Sequence, residues 1–216
     1  MDIGRVATSP RACLDYPEIR NQIQDGDILL FRGKSWLSRL ICRLTGSPYS
    51  HSGIVGWWSG RLMVFEAGPT GVVASRMSLV VSKYSGKVEL WTTDDNLARF
   101  EVIRAAQRLL GKRYSKFKLL RDLQRRWFGR SRPESKPKSS DPEAPPEDFV
   151  CSEFVSRMWR AGGIELAKQS PDLYPGPRDI AKSPNLRKVG DLVRGRPGAI
   201  VSAPLQRLPQ RSVGAR

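Results

Sequence analysis

The stretch SHSGIVGWWSGRLMVFEAG, Ser50–Gly68, decides the fold, because it predicts an antiparallel hairpin that carries the chain's one histidine. Two runs of β-forming residues flank the turn residues Trp57–Gly60, which predict a four-residue loop. In that register His51 directly faces Glu66 on one face of the sheet, where the carboxylate can accept the imidazole N–H. A slip of one residue would send Glu66 to the opposite face, so the pairing depends on the loop length.

Further strands and helices are predicted on both sides of this hairpin. Ile28–Phe31 is a continuous apolar run bounded by Gly33, which indicates a buried strand. The other elements are a short helix around Tyr16–Ile23, a helix over Trp36–Leu44 ended by Gly46 and Pro48, strands within Gly71–Val81 and Lys87–Thr93, a helix that follows the capping residues Asp94, Asp95 and Asn96 and ends before Gly111, and a helix that begins near Cys151 and ends at Gly162–Gly163. A β-rich middle flanked by helices predicts the α+β class.

The composition along the chain predicts one folded domain between two less ordered ends. We expect residues 1–25 to be an N-terminal lead-in, residues 26–190 to form the domain, and residues 191–216 to be a basic disordered tail. Within the domain, residues 131–147 are rich in proline and lack large apolar residues, which predicts a flexible insertion.

The chain is strongly basic, with 37 Lys and Arg residues against 21 Asp and Glu residues and a formal net charge of +16. Between Lys112 and Arg132 there are nine basic residues and one acid, Asp122. Such charge attracts polyanions, which are nucleic acids or anionic lipid headgroups. The basic run has neither a zinc-finger pattern nor an aromatic RNA-binding motif, so we do not expect specific nucleic-acid recognition.

The sequence predicts a cytoplasmic protein and leaves membrane association open. Its N-terminal residues lack the apolar run of a signal peptide, and no segment reaches the length of about 20 apolar residues that a membrane span needs. The three cysteines, Cys13, Cys42 and Cys151, give no disulfide framework, which fits a reducing compartment.

Cys151 has two interpretations from its residue chemistry. If Asp148 is the N-cap, Cys151 lies near the third position of a helix, where the N–H groups and the helix dipole favour a thiolate and can bind an oxyanion. A cysteine hydrolase also needs an imidazole, and His51 is the only one in the chain. In the other interpretation, Cys151 is one more apolar residue of a buried helix face, and His51 and Glu66 are structural.

Two halves of the chain resemble a known family. GDILLF, SHSGIV and VFEAGPTGVV resemble the histidine half of the NlpC-type papain-like cysteine peptidases, and LLGKRYSKF with FVCSEFVSRMWRAGGIEL resembles their cysteine half. The histidine half comes first here, whereas ordinary members begin with the cysteine half. The chain therefore resembles the circularly permuted branch, the YiiX-like amidases, which are related to the lecithin retinol acyltransferase-like proteins. The resemblance runs from Gly26 to Val189 outside the proline-rich insertion, and Asp27 matches a turn residue that we take as structural.

The resemblance implies a permuted papain-like fold, in which a small antiparallel sheet or barrel packs against helices and the nucleophile begins a helix. It implies that Cys151 is the nucleophile, His51 the base and Glu66 the residue that orients the base. Tyr114 matches a motif tyrosine near the family's active site, and neither a cofactor nor a metal is expected. Val150 stands where ordinary members carry Asp, so a role for that Asp does not transfer to this chain.

The sequence leaves the substrate open. Attack of Cys151 on an amide, ester or thioester would make the protein a cysteine amidase or peptidase. The alternatives are a lipid-directed acyl hydrolase or acyltransferase at a membrane surface, and an inactive papain-like binding module. Two basic amphipathic stretches bear on this choice, Trp36–Leu44 and a segment with Phe117, Leu120, Leu123 and Trp127 on one face. Each apolar stripe either packs on the domain or lies on an anionic membrane.

Overall fold

A seven-stranded sheet is the centre of the computed structural model, which describes residues 13–68, 70–114, 148–167 and 175–194. The strands of this sheet are β1 (Cys13–Asp15), β2 (Ile28–Gly33), β3 (His51–Trp58), β4 (Arg61–Gly68), β5 (Gly71–Arg76), β6 (Gly86–Thr92) and β9 (Arg187–Val193), and β7 (Arg113–Tyr114) and β8 (Asp148–Phe149) form a separate parallel pair. The helices are α1 (Tyr16–Ile19), which a 3-10 turn over Arg20–Gln22 extends, α2 (Trp36–Thr45), α3 (Met77–Lys83), α4 (Arg99–Arg108), α5 (Cys151–Ala161) and α6 (Pro177–Ala181).

The sheet is antiparallel except at one edge. The strand order is β1-β9-β6-β2-β3-β4-β5, and only the edge strand β1 runs parallel to its neighbour β9. Helices and a largely antiparallel sheet confirm the predicted α+β class. None of the helices in the described ranges has the length and apolar character that a bilayer crossing requires.

Both faces of the sheet are buried, which explains the unbroken apolar run in β2. Ile28 and Leu30 face one hydrophobic core, and Leu29 and Phe31 face the other, each at most 1% exposed. The first core lies under α4, α5 and α6 and includes Ile54, Phe65, Val102, Phe154, Trp159 and Ile180. The second core lies under α1 and α3 and includes Tyr16, Val55, Val64, Met77, Val81 and Leu90. The predicted buried strand is therefore confirmed.

The central hairpin turns through two residues, so the predicted four-residue loop is wrong. Trp58 pairs with Arg61, and the turn residues Ser59 and Gly60 have φ angles of 49° and 72°. Positive φ at both central residues is the geometry of the tight turns that match strand twist. The register pairs Ile54 with Phe65, two residues away from the predicted register.

This shift of two keeps Glu66 on the predicted face but moves it off the position directly across from His51. Because side chains alternate with a period of two, an even shift leaves every residue on its own face. Continuing the observed register places Gly53 opposite Glu66, and a Cβ on Gly53 would lie 3.5 Å from the Glu66 Cβ. His51 and Glu66 are therefore diagonal neighbours on one face.

Asp27 is the centre of a buried polar cluster that joins β2 to β6 and α4. Its carboxylate accepts hydrogen bonds from the Gln24 N–H at 3.0 Å, the Thr92 hydroxyl at 2.6 Å and the Arg99 guanidinium at 2.9 Å. Arg99 also donates to the backbone oxygens of Asp25 and Thr93. These contacts support the structural role that we predicted for Asp27.

Two element predictions are corrected by packing. The stretch from Met77 to Val81 forms α3 rather than a strand, because these two apolar residues lie four apart and both enter the second core. Helix α4 begins only at Arg99, because the Asp95 side chain accepts from the Leu97 N–H within the preceding loop.

The predicted domain boundaries also need correction. Residues 13–15 of the predicted lead-in form β1, and residues 191–193 of the predicted tail continue β9. Leu192 is buried in the second core, so the sheet extends beyond both boundaries. The predicted flexible insertion and residues 195–216 lie outside the described residues, as does the amphipathic segment from Phe117 to Trp127.

Candidate active site

Cys151 is the first residue of α5. The N-cap is Val150, with extended φ and ψ angles of −100° and 153°, so the prediction that Asp148 caps the helix is wrong. Asp148 and Phe149 pair with β7 as strand β8, which keeps the backbone extended until Val150. The first hydrogen bond of the helix runs from the Phe154 N–H to the Val150 oxygen. The backbone amide of Cys151 therefore lies in the first turn, at the positive end of the helix dipole.

His51 is the first residue of β3 and contacts Glu66 of β4. The Nε2 atom of His51 lies 2.7 Å from the Oε2 atom of Glu66, although the two residues are diagonal in the sheet. The residue opposite Glu66 is Gly53, which has no side chain to hold the carboxylate away from His51. The tilted ring of Phe31, whose centroid is 5.3 Å from that of His51, covers another side of the imidazole.

The structure brings the three predicted site residues together. The Cys151 thiol lies close enough to the His51 imidazole for each group to shift the pKa of the other, and Glu66 contacts the same imidazole through Nε2. Because Nε2 is engaged by the carboxylate, Nδ1 is the ring nitrogen left for the sulfur. Ser52, which sequence reasoning did not single out, lies beside Cys151 and helps to lower the pKa of its thiol.

The contact between Cys151 and His51 shifts the pKa of both groups in the direction of an ion pair. Burial acts to lower the pKa of His51, but the charge of Cys151 and the hydrogen bonds to Cys151 and Glu66 outweigh it and raise that pKa to about 10. Burial acts to raise the pKa of Cys151, yet the charge of His51 and the hydrogen bonds from His51 and Ser52 lower it. Both shifts favour the thiolate–imidazolium pair over the neutral pair.

The pair lies at the margin of the core rather than inside it. Cys151 is 8% exposed, whereas 26% of the His51 side chain and 21% of the Glu66 side chain are accessible to solvent. Cys151 is therefore a buried residue whose polar neighbours are partly exposed, and its role as a nucleophile stays a prediction.

Tyr84 extends the site on the side of Phe31. Its ring meets the Phe31 ring edge-on at a centroid distance of 5.0 Å, and its hydroxyl lies near Ser50. Ser50 in turn donates to the Phe31 backbone oxygen and accepts from the Gly33 N–H. Sequence reasoning missed Tyr84, because it follows α3 and no motif marks it.

Tyr114 is placed near the nucleophile by its backbone. It pairs with Phe149 in the short parallel ladder of β7 and β8, two residues before Cys151. This placement is compatible with the predicted position of Tyr114 close to the site.

The described residues contain no candidate metal centre. No group of three or more His, Cys, Asp and Glu residues there is arranged to hold a metal ion. The Nε2 atom of His51 contacts Glu66 directly, so the two side chains leave no room between them for a shared metal ion.

Comparisons with known proteins show the fold alone. No family model matches the chain, and no curated protein matches it. Among solved structures, the chain is similar to the "metalloprotein yiiX from Escherichia coli O157:H7, DUF1105", with 20% sequence identity and a TM-score of 0.57. The match covers 78% of this chain and 97% of that one. The predicted likeness to YiiX-like proteins is thus confirmed for the fold, and the circular permutation stays a prediction.

Proposed function

We propose that the protein is a cysteine hydrolase that cleaves an amide, ester or thioester bond through a thioacyl-enzyme intermediate. The observation that carries this proposal is the unbroken line of contacts from Glu66 through His51 to Cys151 at the start of α5. A nucleophile, a base within hydrogen-bonding reach and a group that orients the base are the three parts that such chemistry needs.

In the acylation step, the Cys151 thiolate attacks the carbonyl carbon of the substrate. The oxygen that becomes negative is stabilised by N–H groups in the first turn of α5, where the helix dipole adds to the hydrogen bonds. His51 holds the proton taken from the thiol and donates it to the leaving nitrogen, oxygen or sulfur as the bond to the carbonyl breaks.

In the deacylation step, neutral His51 takes a proton from a water molecule, which attacks the thioester carbonyl and releases the acid and the thiolate. Another acceptor at the same place would receive the acyl group instead. Glu66 keeps the imidazole in one orientation and stabilises its charged form throughout, without itself touching the substrate. The partly exposed imidazole gives an acceptor a route to the thioester.

The proposed chemistry needs Cys151 as a free thiol, which a reducing, cytoplasmic setting would maintain. Cys13 and Cys42 are also free thiols. Cys42 provides a natural comparison, since burial raises the pKa of its thiol.

A second candidate function is a lipid-directed acyl hydrolase or acyltransferase with the same three residues. The observation that favours it is α2, whose apolar residues Trp36, Leu37 and Leu40 are exposed. The third alternative, an inactive binding module, requires that Cys151 have no special reactivity.

The test is a panel of amide, ester and thioester substrates, including acyl lipids, supplied to the full chain. The proposal expects turnover of at least one class that is lost in Cys151→Ala and kept in the matched variant Cys42→Ala. Iodoacetamide should modify Cys151 faster than Cys42 at neutral pH. Equal labelling rates for the two thiols, together with no turnover in the panel, would support the inactive module instead.

A further inference from the structure

Helix α2 presents its apolar side to solvent. Trp36, Leu37 and Leu40 are 73%, 51% and 41% exposed, and no residue of the helix is fully buried. At 100° per residue, the five apolar residues Trp36, Leu37, Leu40, Ile41 and Leu44 span an arc of about 140°. An amphipathic helix of a globular protein normally turns such a stripe towards the core. In α2 only Ile41 and Leu44 are half-buried, and the other three apolar residues are exposed.

Two contacts attach α2 to the domain, one at Ser38 and one at Gly46, just after the helix. Ser38 packs directly on Gly33, where even a Cβ atom would collide with it. The C-terminal end is fixed by Arg178, which donates to the Gly46 oxygen at 2.7 Å. Gly46 itself ends the helix in the left-handed conformation, with a φ angle of 60°. The attachment therefore orients the apolar stripe outward instead of leaving it free to rotate inward.

The exposed stripe is surrounded by unopposed positive charge. Lys34, Arg39 and Arg43 are exposed, and the sequence has no acidic residue between Asp27 and Glu66. Within the described ranges, no carboxylate forms an ion pair with these three cations. Arg39 and Arg43 follow one edge of the apolar arc, where their side chains can reach a plane that the stripe enters.

We propose that α2 is a docking helix for an anionic lipid bilayer surface. Its apolar stripe enters the boundary between headgroups and acyl chains, Trp36 lies at that boundary, and the flanking arginines contact lipid phosphates. A second copy of the chain is a poor occupant, because it would bring two cationic helices together in a protein of net charge +16. The exposed apolar residues Leu97 and Phe100 differ, since Asp94, Asp95 and Glu101 lie beside them in the sequence.

Docking through α2 would bring the candidate active site close to the bilayer. Ser38 of α2 contacts Gly33, and a Cβ on Gly33 would lie 2.9 Å from the Tyr84 hydroxyl. Tyr84 packs against Phe31, which packs against His51, so the helix and the imidazole are connected by successive side-chain contacts. The inference that the bilayer lies close to an active site rests on the proposed function, whereas the docking of α2 does not.

The test is sedimentation of the full chain with phosphatidylcholine vesicles that do or do not contain about one third phosphatidylglycerol. We expect binding to the anionic vesicles that weakens as salt rises from about 0.1 M to about 1 M, because the Debye length falls from about 10 Å to about 3 Å. The double variants W36S/L40S and R39E/R43E should each lose binding by about tenfold or more.

Matched controls separate α2 from the remaining basic surface. L97S/F100S removes two exposed apolar residues, one in α4 and one in the loop before it. R61E/R108E reverses the charge of two exposed arginines elsewhere. Both variants should bind the vesicles within about twofold of the wild type. Hydrogen exchange of the full chain with vesicles should slow in the peptide that contains residues 36–45 and not in that of α4. Unchanged binding of both α2 variants, or equal binding to neutral vesicles, would overturn the proposal, and Cys151 alkylation in each variant reports separately on the candidate site.

Discussion

The Nε2 atom of His51 lies 2.7 Å from the Oε2 atom of Glu66 across a diagonal of the β3–β4 hairpin. Diagonal partners in a sheet are farther apart than directly opposed ones, so the contact requires that the side chains lean towards each other. Gly53, which lies opposite Glu66, has no side chain between the Glu66 carboxylate and His51. The contact fixes the imidazole on the side remote from Cys151, which leaves the other ring nitrogen for the thiol.

Substitution of Glu66 by glutamine tests the orienting role. We expect kcat to fall by about 10-fold to about 100-fold, less than for His51→Ala, because general-base catalysis contributes about 10²- to 10⁴-fold. Glu66 helps to raise the pKa of His51, so its loss lowers that pKa and moves the alkaline limit of the active ion pair to lower pH. A pH profile of kcat/KM measures the shift, and an unchanged alkaline limb would contradict the assigned contact.

Gly53→Ala tests whether the glycine makes room for the carboxylate. The added Cβ would lie 3.0 Å from Val64 Cγ1 and 3.2 Å from the Phe65 oxygen, closer than ordinary contacts. We expect turnover to fall to a level like that of Glu66→Gln, with the same displacement of the pH profile. Gly60→Ala is the control, because its Cβ meets nothing within 4 Å and its positive φ affects stability rather than the site.

Alkylation of Cys151 as a function of pH tests the ion pair itself. The pKa of the thiol is lowered, chiefly by the charge of His51 acting against burial, so alkylation should persist at pH values below the usual thiol range. In His51→Ala the pKa rises, and the rate at neutral pH should drop by up to about tenfold for each pKa unit of change, because the thiolate fraction falls by that factor. Mass spectrometry with iodoacetamide follows each cysteine, and Cys42 serves as the internal reference. Equal pH profiles in the wild type and in His51→Ala would count against the pair.

Much of the candidate site was predictable, because an error of an even number of residues in the strand register leaves each side chain on its predicted face of the sheet. The loop length was wrong by two residues, yet His51 and Glu66 stayed on one face. The turn itself was missed because Ser59 adopts a positive φ angle, which a non-glycine residue rarely does. The run Ile28–Phe31 was predicted as buried because only a sheet covered on both faces needs consecutive apolar residues.

Other features of the site lie beyond what periodicity can tell. The stripe of α2 was recognised, but a pattern along a helix does not say which way the stripe points, and only the contact between Ser38 and Gly33 decides it. Ser52 lies beside Cys151 because α5 packs against β3, a long-range arrangement that no local signal in the sequence carries. Helix α5 begins later than predicted, because Asp148 pairs with β7 as part of strand β8 and therefore does not cap the helix.

The buried pair of Asp27 and Arg99 should dominate the stability of the domain's polar interior. Both side chains are almost completely buried, and the Arg99 Nη1 atom lies 2.9 Å from the Asp27 Oδ1 atom. Arg99→Met leaves an unpaired buried carboxylate, so we expect the free energy of unfolding to fall by about 3–5 kcal/mol in urea titrations.

Arg104→Met is the matched control for that variant. Its partner Glu101 is also on α4, the two atoms Nη1 and Oε1 are 3.0 Å apart, and both side chains are largely accessible to solvent. An exposed pair of this kind contributes at most about 1 kcal/mol, so the midpoint of unfolding should change little. Similar losses in the two variants would mean that Asp27 finds another partner and that this cluster does not connect β2 to α4. A selective loss in Arg99→Met would establish the connection, because this guanidinium also donates to the backbone oxygens of Asp25 and Thr93.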